Sequence, residues 1–195
     1  FNFWPRPGEG LPRLRTETAG FPREAERDII VLPFNDSAAL EKTLEEHGQE
    51  IAAVILEPVN YNSGAIEPAD GFLGLLRKKT EEKGIVLIFD EILSGFRTGA
   101  DCMQGYFGVT PDLCTLGKAL GGGLPLSAFA GRKKVMLDVA PQGKMMHTGT
   151  YVAHLVNILC GQAFMAAITQ PGVFEDLKRR SDKLYEGMNR AFGKA

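Results

Sequence analysis

Ile85-Val86-Leu87-Ile88-Phe89 is apolar at every position and runs directly into two carboxylates, Asp90-Glu91. Gly84 stands just before it, so the run is short and bounded, as a strand is. A strand without alternation is buried on both faces, as in a sheet covered by helices. The neighbouring segments fit such a sheet. Asp28-Ile29-Ile30-Val31-Leu32 reads as a short buried strand. Asn35-Asp36-Ser37 offers caps for a helix reaching about His47, with Gly48 as its stop. Ile51 to Leu56 reads as a second buried strand. A helix opens at Asp70 or Gly71, turns Phe72, Leu75 and Leu76 inward, and ends at Gly84. Asp112 to Leu116 and Ser127 to Gly131 are two further short strands. Strands alternating with helices predict an α/β domain with a mostly parallel sheet covered by helices.

The two ends differ from this middle. Over residues 1–27, Pro5, Pro7, Pro12 and Pro22 alternate with Gly8, Gly10 and Gly20, which predicts an irregular lead-in loop. The layered domain is expected over 28–168, where Val152 to Ile168 is apolar and helical. Pro171-Gly172 breaks that helix. In the last segment, 169–195, Leu177, Leu184, Met188 and Phe192 recur on one helical face. The chain opens on Phe1 and closes inside an amphipathic helix, so we expect an internal piece of a longer protein.

Composition narrows the partners. A net charge of -2 over 195 residues argues against a generally basic nucleic-acid binder. No apolar run reaches the roughly 18 residues a membrane span requires. Cys102, Cys114 and Cys160 are odd in number and lack CxxC spacing. Free thiols in a reducing, cytoplasmic compartment are therefore expected. His147 and His154 could share a helix face, but no HExxH or cysteine pair accompanies them, so no metal site is expected.

Two positions carry chemistry. Asp90 lies just beyond the carboxyl end of the most apolar strand, where open α/β sheets bind their ligands. A strand-end cap or a salt bridge is the competing reading. Lys118 follows Gly117 at the end of the next strand, and Gly121-Gly122-Gly123 comes soon after. A solvated loop lysine is the competing reading here. If the amine were partly buried, its charged form would be disfavoured and it would become a nucleophile. The glycines would let backbone approach a bound group. A Walker A loop fails, because Asp112 and Ala119 stand where Gly and Ser or Thr are needed. A dinucleotide fingerprint fails at Leu126. A strand-end carboxylate, a Gly-Lys on the next strand and a glycine-rich turn together suit pyridoxal 5'-phosphate. The lysine would form a Schiff base with the cofactor aldehyde, and the aspartate would keep the pyridine nitrogen protonated.

The run from Leu87 to Arg97, followed by Pro111-Asp112-Leu113-Cys114-Thr115-Leu116-Gly117-Lys118, resembles the signature of class III pyridoxal-phosphate aminotransferases. Within that class the chain is similar to the glutamate-1-semialdehyde 2,1-aminomutase branch. Glu50 to Val59, Gly105 to Asp112, Gly121 to Gly131 and His147-Thr148-Gly149-Thr150 extend the match from about Asp28 to about Phe192. The resemblance implies fold type I of the pyridoxal-phosphate-dependent transferases. Residues 28–168 would then be part of the large, cofactor-binding domain, and 169–195 would lead toward a C-terminal small domain. It implies that Lys118 carries the Schiff base, Asp90 meets the pyridine nitrogen and Ile92 packs on a ring face. It further implies that Glu57 orients polar groups near the site. Thr150 would bind the cofactor phosphate of a neighbouring subunit, which implies a homodimer with a shared active site. Glu91 and Arg97 are expected to stabilise the loop rather than react.

The substrate implied is a small amino acid or amino aldehyde. Three activities follow as expectations. Amino-group transfer leads. An intramolecular amino shift on glutamate-1-semialdehyde, giving 5-aminolevulinate, is the second. The third is a non-catalytic fragment without a complete cofactor site. In the aminomutase the lead-in region is a small-residue gating loop, whereas here it reads Arg6-Pro7-Gly8-Glu9-Gly10-Leu11-Pro12-Arg13. Tyr151-Val152-Ala153-His154-Leu155 likewise replaces small polar residues. These two differences put transfer ahead of the shift.

Overall fold

Four strands of the described residues form one sheet, in the order β1-β2-β3-β4. They are β1 (Ala53–Leu56), β2 (Val86–Asp90), β3 (Leu113–Leu116) and β4 (Ala128–Gly131). The computed structural model describes residues 19–20, 22, 24 and 27–193, so the expected lead-in over 1–27 lies mostly outside the described residues. The first three strands are parallel, with Leu56 beside Phe89 and Phe89 beside Cys114. The last runs antiparallel to β3, with Phe129 beside Thr115. α1 (Ser37–His47) precedes the sheet, α2 (Phe72–Lys83) crosses from β1 to β2, and α3 (Cys102–Phe107) lies between β2 and β3. The short α4 (Lys133–Met136) follows β4, then α5 (Leu155–Ile168) and α6 (Val173–Phe192).

Local chemistry sets these boundaries. The Asp36 carboxylate accepts the Ala39 N–H at 2.8 Å and so caps α1. α2 stops at Gly84, whose φ of 69° is the left-handed C-cap conformation. Gly48 ends α1 differently. Its φ is -58°, and the reason for glycine is space: a Cβ there would stand 2.3 Å from the Leu44 carbonyl oxygen.

α1 and α2 cover one face of the sheet. Leu40 and Leu44 of α1 and Leu73 and Leu76 of α2 close over Leu87, Phe89 and Cys114. Leu87 and Phe89 are 0% exposed. Each large apolar side chain buried in this way contributes about 1.5–3 kcal/mol. The opposite face is less covered. Val86 and Ile88 are half-buried, and Ile55 of β1 is 61% exposed. The two-sided burial expected for β2 is therefore complete on one face only, because both helices lie on the same side. Ile51–Leu56 is shorter than expected and half-exposed, since β1 is an edge strand. The expected strand over Asp28–Leu32 does not form. Among the described residues no ladder partner lies beside it, and Ile29 and Ile30 are each 39% exposed. A short apolar run becomes a strand only when a neighbour completes its hydrogen bonds.

Asp112, at the entry to β3, ties the layers together. Its Oδ2 accepts the Leu87 N–H at 2.8 Å and Arg77 Nη1 of α2 at 2.7 Å. Its Oδ1 meets Arg132 Nε at 3.3 Å. Burial pushes this carboxyl up, but the Leu87 N–H and the two guanidinium groups outweigh burial and hold it below the ordinary value. Toward the end of the chain, α6 shows the predicted stripe with nothing over it among the described residues: Leu184 is 62% and Phe192 83% exposed. No described helix is long and apolar enough to cross a membrane.

Candidate active site

β2 and β3 are parallel neighbours, so both release their chains at the same end of the sheet. Side chains alternate along a strand, which puts Asp90 on the face opposite Leu87 and Phe89. Asp90 is paired with Thr115 across the ladder. One carboxylate oxygen, Oδ1, accepts the Ile92 N–H at 3.0 Å and the Thr115 hydroxyl at 3.2 Å. Among the described residues Oδ2 has no hydrogen-bond partner. The aspartate is held from one side and free on the other.

Beyond β3 the chain turns at Gly117-Lys118. Lys118 has φ 43°, in the left-handed region that lysine seldom adopts, and heads a 3-10 turn, Lys118–Gly121. Such a conformation costs on the order of 1–3 kcal/mol and collects at functional sites. The lysine side chain is exposed, whereas the nucleophile reading supposed partial burial. Ile92 reaches across from the β2 side. A Cβ on Gly117 would lie 2.9 Å from Ile92 Cδ1, so the absent side chain is what lets Ile92 settle against the backbone just before Lys118. Asp90, Ile92 and Lys118 thus share one end of the sheet.

The glycine run after Lys118 has a structural explanation. Gly122 has φ 59°, and its Cα faces the Cys160 carbonyl of α5. From the other side, a Cβ on Gly161 would stand 2.5 Å from Leu126 Cδ2. Asn157 Nδ2 donates to the Pro125 carbonyl at 2.7 Å. Gly122 and Gly161 therefore let α5 sit against the turn that carries Lys118.

The remaining expected residues divide. Glu57, at the end of β1, is engaged locally: Oε2 accepts the Tyr61 N–H at 3.1 Å and Oε1 accepts Asn62 Nδ2 at 2.5 Å. The Tyr61 ring lies under the Arg97 guanidinium at 5.2 Å, which links the turn after β1 to the turn after β2. Thr150 sits on an exposed turn, and among the described residues no hydrogen bond joins it to Asp90 or Lys118. Glu91 was expected to stabilise its loop, and the contacts are specific. It is 0% exposed, and it accepts the Ser94 hydroxyl at 3.0 Å, the Met103 N–H at 2.8 Å and the Gln104 N–H at 3.1 Å. Burial pushes its carboxyl up, partly opposed by those donors. Burial also pushes the Cys102 thiol up to about 11, and Cys114 is raised for the same reason. Thr115, which holds Asp90, and Asp112, which ties β3 to β2 and α2, were not singled out from the sequence. Their roles depend on strand register, which no local pattern reports.

Among the described residues no group of three or more His, Cys, Asp and Glu could hold a metal ion. An organic cofactor bearing a ring nitrogen and an aldehyde fits better. The free Oδ2 of Asp90 can face a protonated ring nitrogen, the exposed Lys118 amine can reach a carbonyl carbon, and Ile92 offers an apolar surface beside both.

The chain is similar to known proteins. Residues 13–194 match the family model described as aminotransferase class III. The chain is 41% identical over 182 residues to glutamate-1-semialdehyde 2,1-aminomutase 2 of Exiguobacterium sp., covering 93% of this chain and 41% of that protein. It is 44% identical over 177 residues to glutamate-1-semialdehyde 2,1-aminomutase of Nitrosospira multiformis, covering 91% and 42%. The chain therefore spans about two-fifths of the length of these relatives. Among solved structures, an omega-transaminase from Sphaerobacter thermophilus superposes with TM-score 0.79 at 37% identity, over 85% of this chain and 38% of that one. A transaminase with PLP bound gives TM-score 0.85 at 28% identity, over 95% and 43%. With its mostly parallel α/β sheet and its match over nearly the whole length, this chain belongs to the class III aminotransferase family.

Proposed function

We propose that the protein containing this chain transfers amino groups with pyridoxal 5'-phosphate, and that Asp90, Ile92 and Lys118 hold the cofactor. The observation that carries this reading is the pairing at one sheet end of a half-satisfied aspartate with a lysine in a left-handed turn. When bound, the cofactor supplies an electron sink for the carbon that bears the amine. Lys118 Nζ would hold the cofactor's carbonyl carbon and would serve as the base that moves the proton at the carbon bearing the amine. Asp90 Oδ2 holds the proton on the ring nitrogen. Ile92 keeps one ring face apolar and dry. Glu57 lies near the site and orients polar groups there, through the turn it fixes after β1. Thr150 reaches the cofactor phosphate of a second copy, so the working form is a homodimer with shared sites. Residues 28–168 form part of the large domain and 169–195 lead toward a small domain. The substrate is a small amino acid or amino aldehyde. Three free cysteines, two of them buried, support a cytoplasmic location.

A second reading is favoured by the aminomutase relatives at 41% and 44% identity: an intramolecular amino shift on glutamate-1-semialdehyde. Supplying that substrate without an amino acceptor separates the two, because only the shift yields 5-aminolevulinate. Under either reading Lys118→Ala lowers turnover by at least the roughly 10²- to 10⁴-fold typical of a lost general base. Turnover that survives in a folded Lys118→Ala protein overturns the assignment.

A further inference from the structure

The strand register brings one more side chain to the site. We propose that Thr115 is a positioning residue for the reaction: its hydroxyl fixes the Asp90 carboxylate so that Oδ2 alone is presented to the cofactor ring nitrogen. This inference rests on the cofactor reading above.

Three observations carry it. Thr115 is paired with Asp90 across the β2–β3 ladder, so their side chains project on the same face of the sheet. The hydroxyl donates to Asp90 Oδ1 at 3.2 Å, and the Ile92 N–H reaches the same oxygen at 3.0 Å. Both donors therefore converge on one oxygen, and the other is without a partner among the described residues. A carboxylate held by a single donor can rotate about its Cβ–Cγ bond and exchange its oxygens. With one donor from its own loop and another from the adjacent strand, it is fixed in orientation. Thr115 also lies three positions before Lys118 in the same strand-to-turn segment. One strand thus carries both the anchoring amine and the group that aims the aspartate on its neighbour. Thr115 touches neither substrate nor cofactor; it acts through Asp90.

The test compares holoenzymes carrying Thr115→Val, which keeps the shape and removes the hydroxyl, with wild type and Thr115→Ser, which restores it. Cofactor labelled with ¹⁵N at the ring nitrogen reports protonation of that atom by NMR, and titration of the apoenzyme with pyridoxal phosphate gives Kd. Thr115→Val is expected to bind the cofactor about tenfold more weakly, the scale of one hydrogen bond to a charged group. Its ring-nitrogen signal should shift toward the unprotonated position at neutral pH. Thr115→Ser should return both toward wild type. If Thr115→Val does not fold, Thr115→Ala removes the same hydroxyl without added bulk, and the same readouts apply. A folded variant lacking the hydroxyl, with wild-type Kd and a wild-type ¹⁵N signal, overturns the positioning role. Failure of the wild type itself to take up cofactor at Lys118 overturns the cofactor reading instead, and with it this inference.

Discussion

Replacing Asp112 with alanine should be the most damaging single polar change outside the site. Its carboxylate is the only acceptor that the described residues give to both the Leu87 N–H and Arg77 Nη1, at 2.8 and 2.7 Å. The Arg77 and Asp112 side chains are 13% and 12% exposed. Leaving a buried N–H without its partner costs about 1–3 kcal/mol. Breaking a buried ion pair from one side costs about 3–5 kcal/mol. The two overlap, and both side chains keep some solvent, so we expect a loss of about 3 kcal/mol. With a urea slope of about 2 kcal/mol per molar, the midpoint falls by about 1.5 M. Removing Arg77 as well, as Arg77→Met, should recover about 1 kcal/mol, because the stranded guanidinium is then gone. The pH dependence has a definite sign. The folded carboxyl lies below its ordinary 3.8, so its contribution is present above that value and is lost as pH falls through the folded one. Wild type and Asp112→Ala should therefore converge in acid. A midpoint shift below about 0.5 M at neutral pH would refute the reasoning.

Two further outcomes follow from the same geometry. Glu91→Ala leaves the buried Met103 and Gln104 N–H groups without their acceptor, and should cost about 1–3 kcal/mol in urea unfolding. Because burial raises the Glu91 carboxyl above its ordinary 4.5, the charged form disfavours the folded state. The wild-type advantage should narrow as pH rises from that value through the raised one, and a gap that widens instead would contradict the assignment. Gly161→Ala drives a methyl group to 2.5 Å from Leu126 Cδ2, so it should loosen the turn bearing Lys118. Limited proteolysis would show faster cleavage between 118 and 126 in that variant, and an unchanged cleavage rate would show that α5 does not hold the turn.

What could be read from the sequence was whatever is decided locally. β2 announces itself by five apolar residues in a row, and Gly84 marks both the end of α2 and the start of that strand. Asp90 and Lys118 stand out as candidates because strand ends are where ligands bind, and the resemblance to a known family adds Ile92. The rest depends on neighbours. Asp28–Leu32 has strand composition, but no ladder partner lies beside it among the described residues. Lys118 is exposed, which its place between an apolar strand and three glycines does not report. Thr115 could not be singled out before the β2–β3 register was known, because only that register sets it opposite Asp90. Glu91 resembles a solvated loop carboxylate until α3 folds back and points two backbone N–H groups at it. Glu57 finds its partners, Tyr61 and Asn62, in the turn that follows it.

The most direct measurement is reductive trapping. The protein is incubated with pyridoxal phosphate, treated with borohydride, and digested so that the modified lysine can be mapped by mass spectrometry. A stable adduct on Lys118, in preference to Lys133, Lys134 and the lysines of α2 and α6, is the predicted result. Labelling spread evenly over surface lysines, with none enriched at Lys118, would contradict the claim that this turn and Asp90 form the cofactor site.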